Sequence, residues 1–223
     1  MLNVASSTDT RRPVLKRRIR IIVATTMTYN VIEAAVALAA GTVASSVALV
    51  GFGLDSIVEV LSAAAVAWQF AAPDPERRER KALRLIAVSF FGLAAYVAIS
   101  AALTLTGMAA PQHSTAGIVL AAVSLAVMPF LSLLERRAGR ELGSASAVAD
   151  SKQTLICSYL SAAVLIGLLF NSLLGWTWAD PVAGLVIAVF AFREGLEAWR
   201  GEACAQPVSA LTGEREASGD GCC

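Results

Sequence analysis

The sequence predicts an all-α integral membrane protein with six transmembrane helices and both termini in the cytoplasm. Three observations carry that expectation: an apolar composition, six runs long enough to cross a bilayer, and basic residues confined to alternate connections. Of the 223 residues, 57% are hydrophobic and 16% charged, and the mean hydropathy is +0.66. That is too apolar for a soluble domain of this length. A spanning helix needs about 20 mostly apolar residues, and such runs occupy 21–40, 44–70, 83–107, 116–134, 147–174 and 179–198. None alternates apolar and polar positions as a barrel strand does.

The basic residues set the expected orientation. Arg11, Arg12, Lys16, Arg17, Arg18 and Arg20 precede the first run, and Arg77, Arg78, Arg80, Lys81 and Arg84 follow the second. Arg136, Arg137 and Arg140 follow the fourth, Arg193 lies in the last turns of the sixth, and Arg200 and Arg215 lie beyond it. These are 17 of the 18 Lys and Arg, Lys152 being the exception. The connections 41–43, 108–115 and 175–178 carry none. By the positive-inside rule both termini face the cytoplasm, which makes this a multi-pass protein of the cell (plasma) membrane.

Each run has its own signature. The first holds Asn30 and Glu33, a polar pair one turn apart, and is too long and too polar at those positions for a cleaved signal peptide. The second holds Asp55 and Glu59. The third opens on basic residues and is otherwise apolar. The fourth contains Pro129, expected to bend it near its cytoplasmic end. The fifth carries Asp150, Gln153, Thr154 and Cys157 at 3- and 4-residue spacing, hence on one face. The sixth opens with Asp180-Pro181, which reads as an N-cap followed by a first-turn proline. Trp176 and Trp178 fall at the outer interface, and Trp68 and Trp199 at the inner one, as in an aromatic belt. His113, the single histidine, reads as an ordinary loop residue.

Segments 1–18 and 201–223 are polar and read as disordered cytoplasmic ends, leaving 19–200 as the six-helix domain. No nucleophile–base pairing, cofactor motif or Gly-rich phosphate loop is legible, so neither an enzyme nor a bound cofactor is expected, and nothing suggests a nucleic-acid partner.

The second run carries the chemistry. An acid at the centre of a membrane helix costs about 2.5–3.5 kcal/mol to insert. Asp55 and Glu59, four residues apart, project from one face, so both point at one place, and such a pair marks an ion or proton path. Their alternative reading is a packing role, paired with Ser or Asn of a neighbour. The second run descends to the cytoplasm and the fifth ascends from it, so Asp55 and Glu59 can meet Gln153 and Cys157 at similar depth. Two carboxylates, an amide and a thiol make about four donors, a set suited to a divalent transition metal. Gln153 and Cys157 are equally compatible with plain helix packing.

The stretch Gly53-Leu-Asp55-Ser-Ile-Val-Glu59-Val-Leu-Ser62, the stretch Ala149-Asp150-Ser-Lys-Gln153-Thr-Leu-Ile-Cys157-Ser and the Asp180-Pro181 opening resemble the cation diffusion facilitator (cation efflux) family across residues 20–200. The resemblance implies six helices with cytoplasmic termini, a metal held by ligand pairs on helices 2 and 5, and a homodimer. The family usually places His and Asp where this chain has Gln153 and Cys157. The 23 residues 201–223 are too few for the family's cytoplasmic metal-binding domain, so the likeness is to a short form without it.

The function implied is a divalent transition-metal transporter that exports cytoplasmic metal in exchange for protons by alternating access. Asp55, Glu59, Gln153 and Cys157 would hold the metal. Asp150 would be a first ligand on the cytoplasmic approach, or else a cap or arginine partner. Glu33 is the candidate proton-coupling acid, because burial disfavours the charged form of a carboxyl. Zn²⁺ heads the candidate cargoes, with Co²⁺, Fe²⁺, Cd²⁺ and Mn²⁺ also fitting, and the lipid bilayer is the remaining partner. Cys204, Cys222 and Cys223 would be reduced cytoplasmic thiols. Two other readings stay open: a metal-binding membrane sensor or scaffold without flux, and a proton-coupled exporter of small organic cations.

Overall fold

A computed structural model describes residues 6–70, 75–108, 110–142 and 145–200. They form six α-helices: α1 (Ser6–Ala44), α2 (Val47–Phe70), α3 (Pro75–Leu105), α4 (Thr115–Leu142), α5 (Ala145–Leu174) and α6 (Ala179–Arg200). No strand occurs among the described residues. Five helices contain apolar stretches of 19 to 26 residues, enough to cross a bilayer. The sixth, α6, is 22 residues long, and the charges of Asp180, Arg193, Glu194 and Glu197 dilute its apolar character.

The helices outrun the apolar runs at several ends. Segment 41–43, expected as an outer connection, is helical, and α1 continues to Ala44. It stops through a Schellman-type closure: Ser46 N donates to Gly41 O at 2.9 Å and Ser45 N to Thr42 O at 3.3 Å. Ser45 takes φ 50°, the left-handed conformation usually given to glycine. The turn into α2 is therefore only Ser45-Ser46. The same closure ends α3, with Gly107 at φ 86° and Met108 N donating to Leu103 O at 3.2 Å. At its other end α1 begins at Ser6, so the helix includes most of the cationic segment expected to be disordered. The tail cysteines Cys204, Cys222 and Cys223 lie outside the described residues.

In cross-section the helices form a closed ring in the order α1, α2, α3, α6, α5, α4, with α2 also touching α5 and α6. One apolar core joins α2, α3 and α6 through Val58, Phe90, Val97 and Ala191. Another joins α1, α2, α4, α5 and α6 through Ala37, Phe52, Ala121, Val164 and Ile187. The outer surface is apolar too: Val31, Ile32, Val88, Ile99, Phe130 and Ile166 are all exposed. A soluble protein does not present so continuous an apolar face; a lipid-bathed bundle must. Trp176 and Trp178 stack with centroids 5.3 Å apart in the α5–α6 turn, while Trp68 and Trp199 are exposed at the opposite end. These exposed rings match the expected aromatic belts.

The α1–α2 pair is tightly registered. A Cβ on Gly53 would stand 3.0 Å from Ala37 Cβ, and one on Gly41 2.8 Å from Val50 N. Glycine at both positions lets the two backbones approach closely. Stepping down the hairpin by helical turns brings Glu33 opposite Ser56, and then Asn30 opposite Glu59.

Candidate metal centre

Asp55, Glu59 and Cys157 converge, each offering a donor atom, with those atoms all within 4.8 Å of one another. Asp55 and Cys157 are buried and Glu59 is half-buried. The Cys157 thiol donates a hydrogen bond to Glu59 Oε1 and packs in a small apolar cluster with Met128 and Leu131. The two acids reach this point from one face of α2, as their spacing requires, and α5 supplies the sulfur. The expected meeting of helices 2 and 5 is present for Cys157. The side chains of Asp150 and Gln153 lie outside those described.

The α1 acid stands one layer away. Glu33, almost wholly buried, accepts from Ser56 Oγ at 2.9 Å and from Ser124 Oγ. Ser124 is in turn 2.7 Å from the Tyr29 hydroxyl. Glu33 and Asn30, one turn apart in α1, do not bond to each other. Asn30 Nδ2 instead donates to Glu59 Oε2 at 2.8 Å, because the close α1–α2 register puts Asn30 opposite the acid of the next helix rather than leaving it to its own.

Asp180 departs from the expected local cap of α6. It does not cap its own helix: its carboxylate accepts from Val47 N at 2.8 Å, from Ala48 N at 3.4 Å and from Ser46 Oγ. Ser46 is the N-cap of α2, its Oγ accepting from Leu49 N at 3.1 Å, and Asp180 reinforces that cap across the bundle from α6. The first turn of α2 has no acidic residue of its own, and a negative charge there meets free N–H groups and the helix dipole.

That cap starts α2 and α6 at the same level, running in the same direction. Gly184 lies against Val47 and Gly51 against Ile187, and further down Glu194 arrives beside Asp55 and Glu59. The three carboxylates line one small cavity with Phe90 and Phe190, and its described lining includes no Lys or Arg. Sequence reasoning missed Glu194, which follows Arg193 near a helix end and reads there as an interfacial charge. The cavity has room for about one water-sized particle, 10 Å³. His113 is engaged at both ring nitrogens, by Ser172 Oγ at 2.6 Å and Thr115 Oγ1 at 2.9 Å, and takes no part in the cluster.

The bundle and this cluster define a polytopic membrane protein enclosing acids and a thiol between its helices. Residues 83–200 match the cation efflux transmembrane domain, and the chain belongs to that family. The chain is similar to the cation-efflux pump FieF of Shewanella oneidensis, with 25% identity over 184 residues. The match covers 80% of this chain and 62% of that protein, so the chain spans less than two thirds of its relative's length.

Proposed function

We propose that this protein moves a divalent transition-metal cation across the membrane, with Asp55, Glu59 and Cys157 as the cargo site. The observation that carries the reading is the convergence of these donors from two helices in the bundle interior. Family membership and likeness to a cation-efflux pump support efflux as the direction. The distribution of basic residues supports a cytoplasmic location for both termini, with Asp150 and Gln153 on the cytoplasmic half of α5 as further ligands on the approach.

The chemistry couples cargo to protons. A thiol binds a metal as thiolate, so a cation entering the cluster displaces the proton that Cys157 holds against Glu59. Glu33, linked through Ser124 to Tyr29, is a second acid able to exchange a proton while the cluster is filled. Rocking of the bundle would then present the loaded site to the other side, where protons return. Two carboxylates and a thiolate form a borderline site suited to Zn²⁺, Co²⁺, Fe²⁺ or Cd²⁺. The size of the cavity favours a bare ion over a small organic cation.

The test is flux in proteoliposomes under an imposed pH gradient, comparing the wild type with Asp55→Ala across Zn²⁺, Co²⁺, Fe²⁺, Mn²⁺ and Cd²⁺. Gradient-dependent flux that the substitution abolishes is the expected result. Binding without flux would replace the transporter by a sensor or scaffold, and neither binding nor flux would remove the metal site altogether.

A further inference from the structure

Asn30 is 6% exposed, and its carboxamide is satisfied at one end only. Nδ2 donates to Glu59 Oε2 at 2.8 Å, while Oδ1 is buried and has no hydrogen-bond partner among the described residues. Buried polar atoms nearly always have a partner, and an orphan calls for a cause such as an absent ion or water. Exchanging the two ends of the amide does not help, since Oδ1 would then face a carboxylate oxygen, acceptor against acceptor. The orientation is thus set by Glu59. Because both atoms share one planar group, Oδ1 lies on the order of 5 Å or less from Glu59 Oε2.

We infer that Asn30 Oδ1 is a ligand of the cargo cation, contributed by α1 to the Asp55–Glu59–Cys157 cluster. The inference rests on the reading of that cluster as the cargo site. It adds a fourth donor of a type divalent metals accept, a neutral amide oxygen, from a helix the ligand spacing on α2 and α5 does not involve. One side chain would then do two things: its N–H orients Glu59 and its carbonyl binds the ion. The close contacts at Gly41 and Gly53 hold α1 near enough to α2 for this to work. A consequence follows for transport, since a ligand on α1 ties a third helix to the occupied state.

Co²⁺ binding to the purified full chain in nanodiscs tests the inference, using the visible bands of four-coordinate Co²⁺ and the near-ultraviolet sulfur-to-cobalt charge-transfer band of Cys157. The wild type should show both. Asn30→Ala should weaken Co²⁺ binding by about tenfold or more and change the visible bands, while the charge-transfer band persists at saturation and confirms an intact site. Asn30→Asp separates the two roles of the amide. It keeps an oxygen donor but cannot donate to Glu59, so a ligand role predicts four-coordinate bands and near wild-type affinity. A role confined to orienting Glu59 predicts binding no better than for Asn30→Ala, and that result would overturn the inference. Wild-type spectra and affinity in Asn30→Ala, with binding lost in Asp55→Ala, would also overturn it while sparing the cluster. Absence of any band in the wild type would instead remove the cargo site on which the inference stands.

Discussion

The carboxylate of Asp180 accepts a hydrogen bond from the backbone N–H of Val47 at 2.8 Å, joining the start of α6 to the start of α2. Asp180 is fully buried and also serves Ala48 N and Ser46 Oγ. Lipid and apolar side chains offer these donors no alternative. Asp180→Ala should therefore destabilise the bundle by about 1–3 kcal/mol, the penalty for stranding buried donors. Thermal unfolding in detergent would show it as a lowered midpoint. An unchanged midpoint would mean that water takes over the cap.

Cys157 sets the softness of the cluster. Cys157→Ser should lower affinity for Cd²⁺ by about tenfold or more, with a much smaller loss for Mn²⁺, because thiolates select soft metals. The same substitution should reduce the protons released per metal bound by about one, since cysteine binds as the thiolate whereas serine binds as the neutral hydroxyl. Isothermal titration in buffers of different ionisation enthalpy reads both quantities. Equal proton release from the two proteins would place the displaced proton elsewhere.

Glu33 is removed from the cluster but held by Ser56 and Ser124. Glu33→Gln keeps the shape and one acceptor oxygen, replaces the other by a donor that a serine hydroxyl can accept, and removes the titration. The expected outcome is equilibrium metal affinity within about threefold of wild type and loss of gradient-driven flux, as suits a proton carrier rather than a ligand. Retained pH-gradient dependence in vesicles would assign proton exchange to the Cys157–Glu59 pair alone.

Glu194 lines the cavity without belonging to the tight donor group. It shares that cavity with Asp55 and, when ionised, should draw a cation inward. Glu194→Gln should slow uptake at low metal concentration by about three- to tenfold, an effect worth roughly 1 kcal/mol, and leave the Co²⁺ spectrum unaltered. A changed spectrum would promote Glu194 to ligand.

The register of α1 against α2 shows how much a linear reading could reach. With the turn at Ser45-Ser46 known, helical geometry alone pairs Gly41 with Val50, Ala37 with Gly53, Glu33 with Ser56 and Asn30 with Glu59. The turn was illegible because Ser45 adopts a left-handed conformation that sequence normally signals with Gly or Asn. Asn30 and Glu33 are neighbours on one helix, yet each finds its partner on the facing one. Asp180 misled for a related reason: an Asp-Pro pair at a helix start looks like a local cap, and nothing nearby in the chain reveals another helix start beside it.

The sequence by itself determined the class of protein, the number and order of its helices, and the shared face of Asp55 and Glu59, because hydropathy and the 3.6-residue period are local properties. It also put Cys157 at a depth where it can meet them, since the second helix descends to the cytoplasm and the fifth ascends from it. Only the tertiary structure decided which polar groups meet: Asn30 with Glu59, Glu33 with Ser124, Asp180 with Val47, and Glu194 beside Asp55. Those pairings depend on helix rotation and on the closeness of backbones at Gly41, Gly53 and Gly184. Both are settled by packing between segments far apart in the chain, where no local period carries information.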